Sequence, residues 1–425
     1  MSSAEIAETL ATDITLPPER RYALQLERLR RLLIHAHERF EFYRARMEDA
    51  RFDPWRLRDV SELQALPLLD KATYRGFAQD LARQRGDDLA SSYLMRTSGS
   101  TGMPLTVYRS AADLACARGK LLRALTYNGY RPEQDVLLEI AGVRQVATAS
   151  GAPPPAATSS RRHRVPFDEP VERMVEEYVR LRPDVLIANK LQLLQMALHV
   201  ERHGINIVPP RMCLPFSEVL DARARALIGG VFGHEAVLDI YSSAEFSVLS
   251  FQVRGRPYQR FSHDTNVLEL MNDGRIEREQ GRCVITELCS YEVPLIRYAL
   301  GDWLETTWHE GEQVVTAIRG RADDELVWRD GSITTPFLLF QACEREAAVR
   351  QYRVFQEAYD ELRLVLVVGP GTDKTALAER LVTHLRQTLR DDVRYSVEFV
   401  PELAPEANGK VRAFISRVQR EAAGS

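Results

Sequence analysis

No two of the five cysteines, Cys116, Cys213, Cys283, Cys289 and Cys343, stand at C-x-x-C spacing. Neither a disulfide framework nor a zinc knuckle is indicated, and the five read as reduced, buried thiols. No apolar stretch approaches the ~20 residues that a membrane-spanning helix needs. The first residues, Met1 to Thr9, carry Glu5 and Glu8 and lack a basic segment followed by an apolar run, so no secretory leader is expected. Basic charge is not in surplus either. The formal net charge is −4, which argues against a general nucleic-acid-binding surface. The expectation is a cytoplasmic protein with neither a membrane nor a nucleic acid as partner.

Two chemical motifs are approached and missed. His199 and His203 stand four apart with Glu201 between them, but H-V-E-R-H puts the glutamate off the face that the metalloprotease pattern H-E-x-x-H requires. The turn Gly369-Pro370-Gly371-Thr372-Asp373-Lys374-Thr375 has Asp373 where a nucleoside-triphosphatase loop has glycine before its lysine, and it reads as a helix cap.

What is present is an ordinary globular composition, 45% hydrophobic and 27% charged over 425 residues, enough for two or three domains. After Pro17-Pro18, residues 19–49 set Leu26, Leu29, Leu33 and Phe40 roughly on one face, which predicts a long amphipathic helix. Ser110 is placed to cap a helix running to Tyr127, with a strand over 136–141 beyond it. Residues 148–166 contain Pro153 to Pro155 and the basic run Arg161 to Arg164, and read as a mobile surface loop. That run is either a solvated face or an attractor for an anionic cosubstrate. A helix from Val171, a strand over 185–188 and a second helix to Arg202 give α/β alternation. Residues 205–300 are rich in strands. The last hundred residues, with strands over 362–368 and 395–400 and a Thr372-capped helix to about Arg390, form a small α+β unit.

The most informative stretch is Thr97-Ser98-Gly99-Ser100-Thr101-Gly102-Met103-Pro104, between Tyr93-Leu94-Met95 and Leu105-Thr106-Val107-Tyr108. Small hydroxyl residues and glycines bury little area, yet glycine lets backbone amides approach an anion closely. On its own the stretch is either a phosphate-gripping loop or a Ser/Gly linker. Four more stretches follow in order. Tyr241-Ser242-Ser243-Ala244-Glu245 lies past an apolar strand, a common ligand position in α/β sheets. Residues 294–302, Pro294-Leu295-Ile296-Arg297-Tyr298-Ala299-Leu300-Gly301-Asp302, end in a carboxylate suited to a ribose diol. Arg319-Gly320-Arg321-Ala322-Asp323-Asp324 is a charged break, and Asn408-Gly409-Lys410 is a turn near the C-terminus.

In that order and number, these stretches resemble the adenylate-forming ligases, the acyl- and aryl-CoA synthetase-like superfamily, in its phenylacetate–CoA ligase-like branch. The resemblance implies an α/β fold with a large multi-sheet adenylation domain over residues 1–320, a small mobile α+β domain over 323–425, and a hinge near 321–324 at Asp323. It implies ATP-dependent activation of a small aromatic carboxylic acid to an acyl-adenylate with release of pyrophosphate, then transfer to CoA. By the same resemblance Ser98, Gly99, Ser100, Thr101 and Gly102 hold phosphate, and Ser217 and Glu218 lie at the adenine turn. Tyr241 stacks on adenine, with Ser242 and Ser243 beside it, and Glu245 coordinates magnesium. Asp302 binds the ribose, Arg321 at the hinge joins the nucleotide-binding residues, and Lys410 touches the carboxylate and α-phosphate. The acid pocket is expected to draw on Tyr127, Ile140, Ala141 and Tyr241. Ala244 stands where the family has Ser or Thr, Ser242 where it has glycine, and Met103 where it often has lysine. Other outcomes open at this point are an amine or carrier-protein thiol as acceptor, a non-catalytic nucleotide or acyl binder, and a homodimer.

Overall fold

The computed structural model describes residues 3–85, 92–96, 105–141, 161–167, 169–216, 218–272, 274–321, 326–330, 332–334, 336–346, 348–404 and 412–418. Ser98 to Gly102, Ser217, Asp323 and Lys410 lie outside them, as does most of the 148–166 segment.

Three β-structures organise the chain. One is a parallel sheet in the order Arg162–Pro166, Leu137–Ala141, Val185–Asn189, Met212–Phe216. Its two strands Val185–Asn189 and Met212–Phe216 read as nearly continuous apolar runs because helices cover the sheet. Val171–Leu181 and Lys190–His203 pack Met174, Tyr178, Leu193 and Met196 against Leu138, Ile140 and Leu186. On the other side, Ala111–Tyr127 brings Ala124 and Leu125 to Leu137, Val185 and Ile187. The second is an eight-stranded antiparallel sheet that runs from Arg275–Glu277 at one edge to Ile240–Ser243 at the other. Its large core takes Leu29, Leu32, Leu33, Phe40 and Tyr43 from the N-terminal helices. The third is a four-stranded sheet, Arg394–Phe399, Glu361–Val368, Val349–Ala358 and Phe414–Ser416, with the Phe337–Arg345 and Lys374–Thr388 helices. Its main core is drawn from residues 326–414 alone.

The structure corrects four expectations. The helix expected over 19–49 is two, Pro18–Arg39 and Glu41–Asp49, because Phe40 is extended, with φ −131° and ψ 112°. That turns its ring edge-on to His35, Tyr43 and Phe77, so an aromatic cluster overrides helical periodicity. Within 148–166, Arg162–Pro166 is an edge strand rather than loop. Its guanidiniums at 162 and 164 both reach Glu139 Oε2, at 2.7 and 2.9 Å, while Val165 is buried. The cap of the Lys374–Thr388 helix is Asp373, whose side chain accepts from the Ala376 N–H, and the Thr372 hydroxyl instead donates to the Gly369 carbonyl. Finally, Cys116 and Cys289 are joined by a disulfide, whereas Cys213, Cys283 and Cys343 are free and buried. The bridged pair is 173 residues apart, beyond the reach of any local spacing rule.

Candidate active site

Strand Ile240–Ser243 forms one edge of the antiparallel sheet and carries Tyr241 inward. Its ring is only 6% exposed, packed into the core that also holds Phe246 and Tyr298, so it is sealed rather than presented as an open face. Its hydroxyl donates to Asp302 Oδ2 at 2.6 Å and lies 3.3 Å from Cys283 Sγ. Burial and the Asp302 charge together hold the phenol well above its ordinary range, so it remains a donor.

Asp302 reaches Tyr241 because the strand pair is irregular. Register between Gln280–Glu287 and Tyr298–His309 shifts between Arg282 and Val284, and Gly301 sits at φ +88°, a conformation that favours glycine. The bulge re-aims the carboxylate that follows it. Across the next pair, Asp302 is directly opposite Arg321. The strand order therefore unites Tyr241, Asp302 and the Arg321 backbone, from three distant parts of the chain.

Glu245 follows in the turn that joins Ile240–Ser243 to Ser247–Gln252. It is 4% exposed. The Ser243 hydroxyl accepts from the Phe246 N–H at 3.2 Å and tightens this turn. Ser242 and Ser243 are half-buried beside it.

At the carboxyl end of the parallel sheet, Glu218 stands just past Met212–Phe216 and Lys190 just past Val185–Asn189. Crevices outside the ends of such strands are where α/β sheets bind ligands. Lys190 Nζ lies 3.8 Å from Glu218 Oε2 and 3.2 Å from Asp221 Oδ2 and donates to the Val219 carbonyl at 2.9 Å. A pocket there is lined by Lys190, Glu218, Asp221 and Arg223 on one side and by Arg350 and Tyr352 of the C-terminal unit on the other. Arg223 Nε donates to the Val349 carbonyl at 2.5 Å across the same junction.

The expected acid-pocket residues are not brought together. Ile140 is fully buried among the helices of the parallel sheet and Tyr241 belongs to the other core. Tyr127 is 39% exposed at the end of its helix, where Arg260 donates to its hydroxyl at 2.7 Å and lies over its ring. Ala141 alone sits at the sheet end that faces the crevice.

Sequence reasoning passed over the charges buried behind the site. Arg109, Asp113, Lys120 and Arg123, on the strand before and along the Ala111–Tyr127 helix, are almost fully enclosed, as are Asp264 and Glu287 opposite them. Arg109 and Lys120 pair with Glu287 at 3.1 and 2.7 Å, and Arg123 with Asp264 at 2.6 Å. The one signal available was the density of Arg and Lys in a helix otherwise apolar enough to be buried.

A 2-hydroxyisobutyryl-CoA ligase in its postadenylation state, in complex with 2-HIB-AMP, superposes with a TM-score of 0.74 at 22% identity, covering 95% of this chain and 90% of that one. The same ligase in its thioesterification state with 2-HIB-AMP and CoA gives 0.61 at 23% identity, covering 95% and 91%. The family model of the CapK C-terminal domain matches residues 326–417. A phenylacetate-coenzyme A ligase of Thermus thermophilus is 27% identical over 334 residues, 74% of this chain and 73% of the relative. These likenesses are to adenylate-forming CoA ligases: the fold is that of the 2-hydroxyisobutyryl-CoA ligase, and the sequence is similar to that of the phenylacetate-coenzyme A ligase. The large N-terminal part with a smaller C-terminal part is the arrangement of that fold. No helix among the described residues is long and apolar enough to cross a membrane.

Proposed function

We propose that the protein couples a small carboxylic acid, aromatic by analogy with its phenylacetate-activating relative, to ATP as an acyl-adenylate and then passes the acyl group to CoA. The observation that carries this reading is the placement of Glu245: a carboxylate enclosed in the turn that follows the strand of Tyr241, whose hydroxyl donates to Asp302. A carboxylate enclosed in this way is well placed to meet a cation. Among the described residues no group of three or more His, Cys, Asp or Glu could hold a metal. A single carboxylate suits magnesium, which is commonly bound through one or two carboxylates plus substrate phosphates. When bound, magnesium would neutralise charge on the ATP phosphates, and Glu245 is the residue that would hold it.

The rest of the chemistry falls to other residues of the chain. In the first step a carboxylate oxygen attacks the α-phosphorus, and the bond to the bridging oxygen breaks with its electron pair leaving on pyrophosphate. Two anions meet, so oriented donors must stabilise growing charge. Ser98 to Gly102 supply amides and hydroxyls on the phosphate side, and Lys410 supplies the cation at the carboxylate and α-phosphate. Asp302, oriented by the Tyr241 hydroxyl, accepts from the ribose diol, and Ser217 and Glu218 border the adenine. In the second step the CoA sulfur attacks the acyl carbonyl, the thiol proton is lost, and the C–O bond breaks with its pair on AMP. The domain boundary falls at 321–324, with Asp323 as the hinge on which residues 323–425 turn between the two steps. The better match to the postadenylation state of the 2-hydroxyisobutyryl-CoA ligase supports a first-step arrangement here. A cytoplasmic setting and a homodimer belong to the same reading.

Carboxylate-dependent pyrophosphate exchange over a panel of aryl and arylacetic acids tests it, followed by product mass spectrometry with CoA, an amine or a carrier protein. Exchange is expected for at least one acid, and Glu245→Ala should lower it at least a hundredfold, about 3 kcal/mol in activation energy. Lys410→Ala should abolish exchange yet leave thioester formation from preformed acyl-AMP. ATP binding with no exchange for any acid would leave only a nucleotide binder.

A further inference from the structure

The turn that carries Glu245 is held from behind by buried charge. Arg109 Nη2 donates to the Glu245 carbonyl, and Lys120 Nζ donates to the Phe246 carbonyl at 3.1 Å, so two cations grip consecutive peptide oxygens. Both also bind Glu287, Arg109 at Oε2 and Lys120 at Oε1. All three side chains are at most 1% exposed. The next residue, Ser247, is left-handed at φ 59° without being glycine, and its hydroxyl donates to the Ala117 carbonyl of the same helix at 2.9 Å. A conformation of that kind persists where the surroundings over-determine it, and such residues cluster at functional sites.

Glu287 is itself fixed by a zipper. The Ala111–Tyr127 helix presents residues 113, 116 and 120 on one face, the i, i+3, i+7 spacing. The Asp113 carboxylate accepts from the Tyr291 and Glu292 N–H groups at 3.0 Å each, Cys116 bonds to Cys289, and Lys120 pairs with Glu287. Every second residue of the segment 287–291 thus engages the helix. Glu292 in turn accepts from the Ser92 hydroxyl at 2.7 Å, at the start of the strand leading into residues 97–104.

Stability alone does not account for this arrangement. Burying two cations with one carboxylate usually gains nothing over apolar side chains of similar volume. Arg109 even retains Nε and Nη1 buried without a hydrogen-bond partner among the described residues. What the cluster does supply, and an apolar core would not, is charged donors on the carbonyls of Glu245 and Phe246, which fix the peptide planes that aim the carboxylate. We propose that Arg109, Lys120 and Glu287 form a positioning triad that sets the Glu245 carboxylate for a nucleotide-bound divalent cation. This rests on the ligase reading above, and none of the three touches substrate.

The test uses Mn2+ as the cation and α,β-methylene-ATP as the nucleotide, with bound Mn2+ read by electron paramagnetic resonance. Wild type is compared with Lys120→Met, Glu287→Gln and Ser247→Gly, each first shown to be folded by near-ultraviolet circular dichroism. Loss of an outer-shell partner typically weakens metal affinity by about 10–100-fold, and that range is expected for Lys120→Met and Glu287→Gln. In pyrophosphate exchange, the same variants should need more Mg2+ and lose kcat, with KM for the acid unchanged. Ser247→Gly keeps the test alive if the charge variants do not fold, since glycine takes φ 59° without strain, and it too should weaken Mn2+ binding. Folded variants that bind Mn2+ and nucleotide as tightly as wild type overturn the triad while the ligase reading stands. Wild type that binds no Mn2+ with nucleotide overturns both.

Discussion

Asp239 stands two residues before Tyr241, a half-buried residue whose carboxylate is enclosed. Its Oδ2 accepts from Gln259 Nε2 at 2.8 Å and its Oδ1 from the Ile240 N–H at 2.9 Å. Burial pushes the carboxyl up to about 6, against the opposing pull of Arg225. Because the folded value lies above the unfolded one, the folded state binds the proton more tightly, and stability falls as pH rises from about 4 to about 6. Asp239→Asn mimics the protonated form. Relative to wild type it should be more stable above pH 6, by about 3 kcal/mol, with the advantage fading toward pH 4. Thermal melts from pH 4 to 8 check this, and a difference that is flat with pH would place the charge elsewhere. Residues of this kind mark the edge of what one sequence discloses. Tyr241, Glu245 and Asp302 were legible because they sit in short stretches whose order is itself informative. Lys120 and Glu287 were not, since a charge in a helix or at a strand end ordinarily faces water and only the fold brings these two together.

Elements follow the same division. The Ser110 cap was readable, and the structure completes it as a reciprocal box with Asp113. The break at Phe40 and the edge strand Arg162–Pro166 were not, because an aromatic cluster decided the first and neutralisation by Glu139 the second. Arg297 is a further case. It lies in the 294–302 stretch, left-handed at φ 51°, and its guanidinium grips Glu269 through Nη2 at 2.8 Å and Nε at 3.0 Å. Its Nη1 donates to the Gln64 carbonyl at 2.9 Å and to that of Leu66, while Leu69 bridges to the strand on either side of Tyr298. This one side chain ties the N-terminal helical region to the sheet that holds Asp302. Arg297→Met leaves Glu269 as an uncompensated buried charge and should cost roughly 3–5 kcal/mol in urea unfolding. Removing both charges, as Arg297→Met with Glu269→Leu, should restore a large part of that loss. A double variant no more stable than the single one would trace the cost to packing.

At the scale of the whole molecule, α/β alternation followed by strand-rich and α+β segments gave the fold class, and the resemblance to the adenylate-forming ligases gave the large and small parts. The long-range closures were beyond reach, since pairings such as Asp302 with Arg321, or Arg223 with Val349, depend on sheet order and domain placement rather than on local spacing. The bridge between Cys116 and Cys289 has a topological consequence. Unfolded but still oxidised, the chain is a lasso: a ring holding the whole parallel sheet together with Tyr241 and Glu245, and two tails, one bearing residues 97–104 and the other Asp302 and Lys410. In the loop-entropy model a closure of this length removes about 5 kcal/mol of freedom from the unfolded state. Denatured without reductant, the wild-type chain should migrate faster on a gel than its reduced form, and Cys116→Ser should abolish the difference. On refolding, the ring's two ends are never apart, so the buried charges at 120 and 287 start their search already tethered.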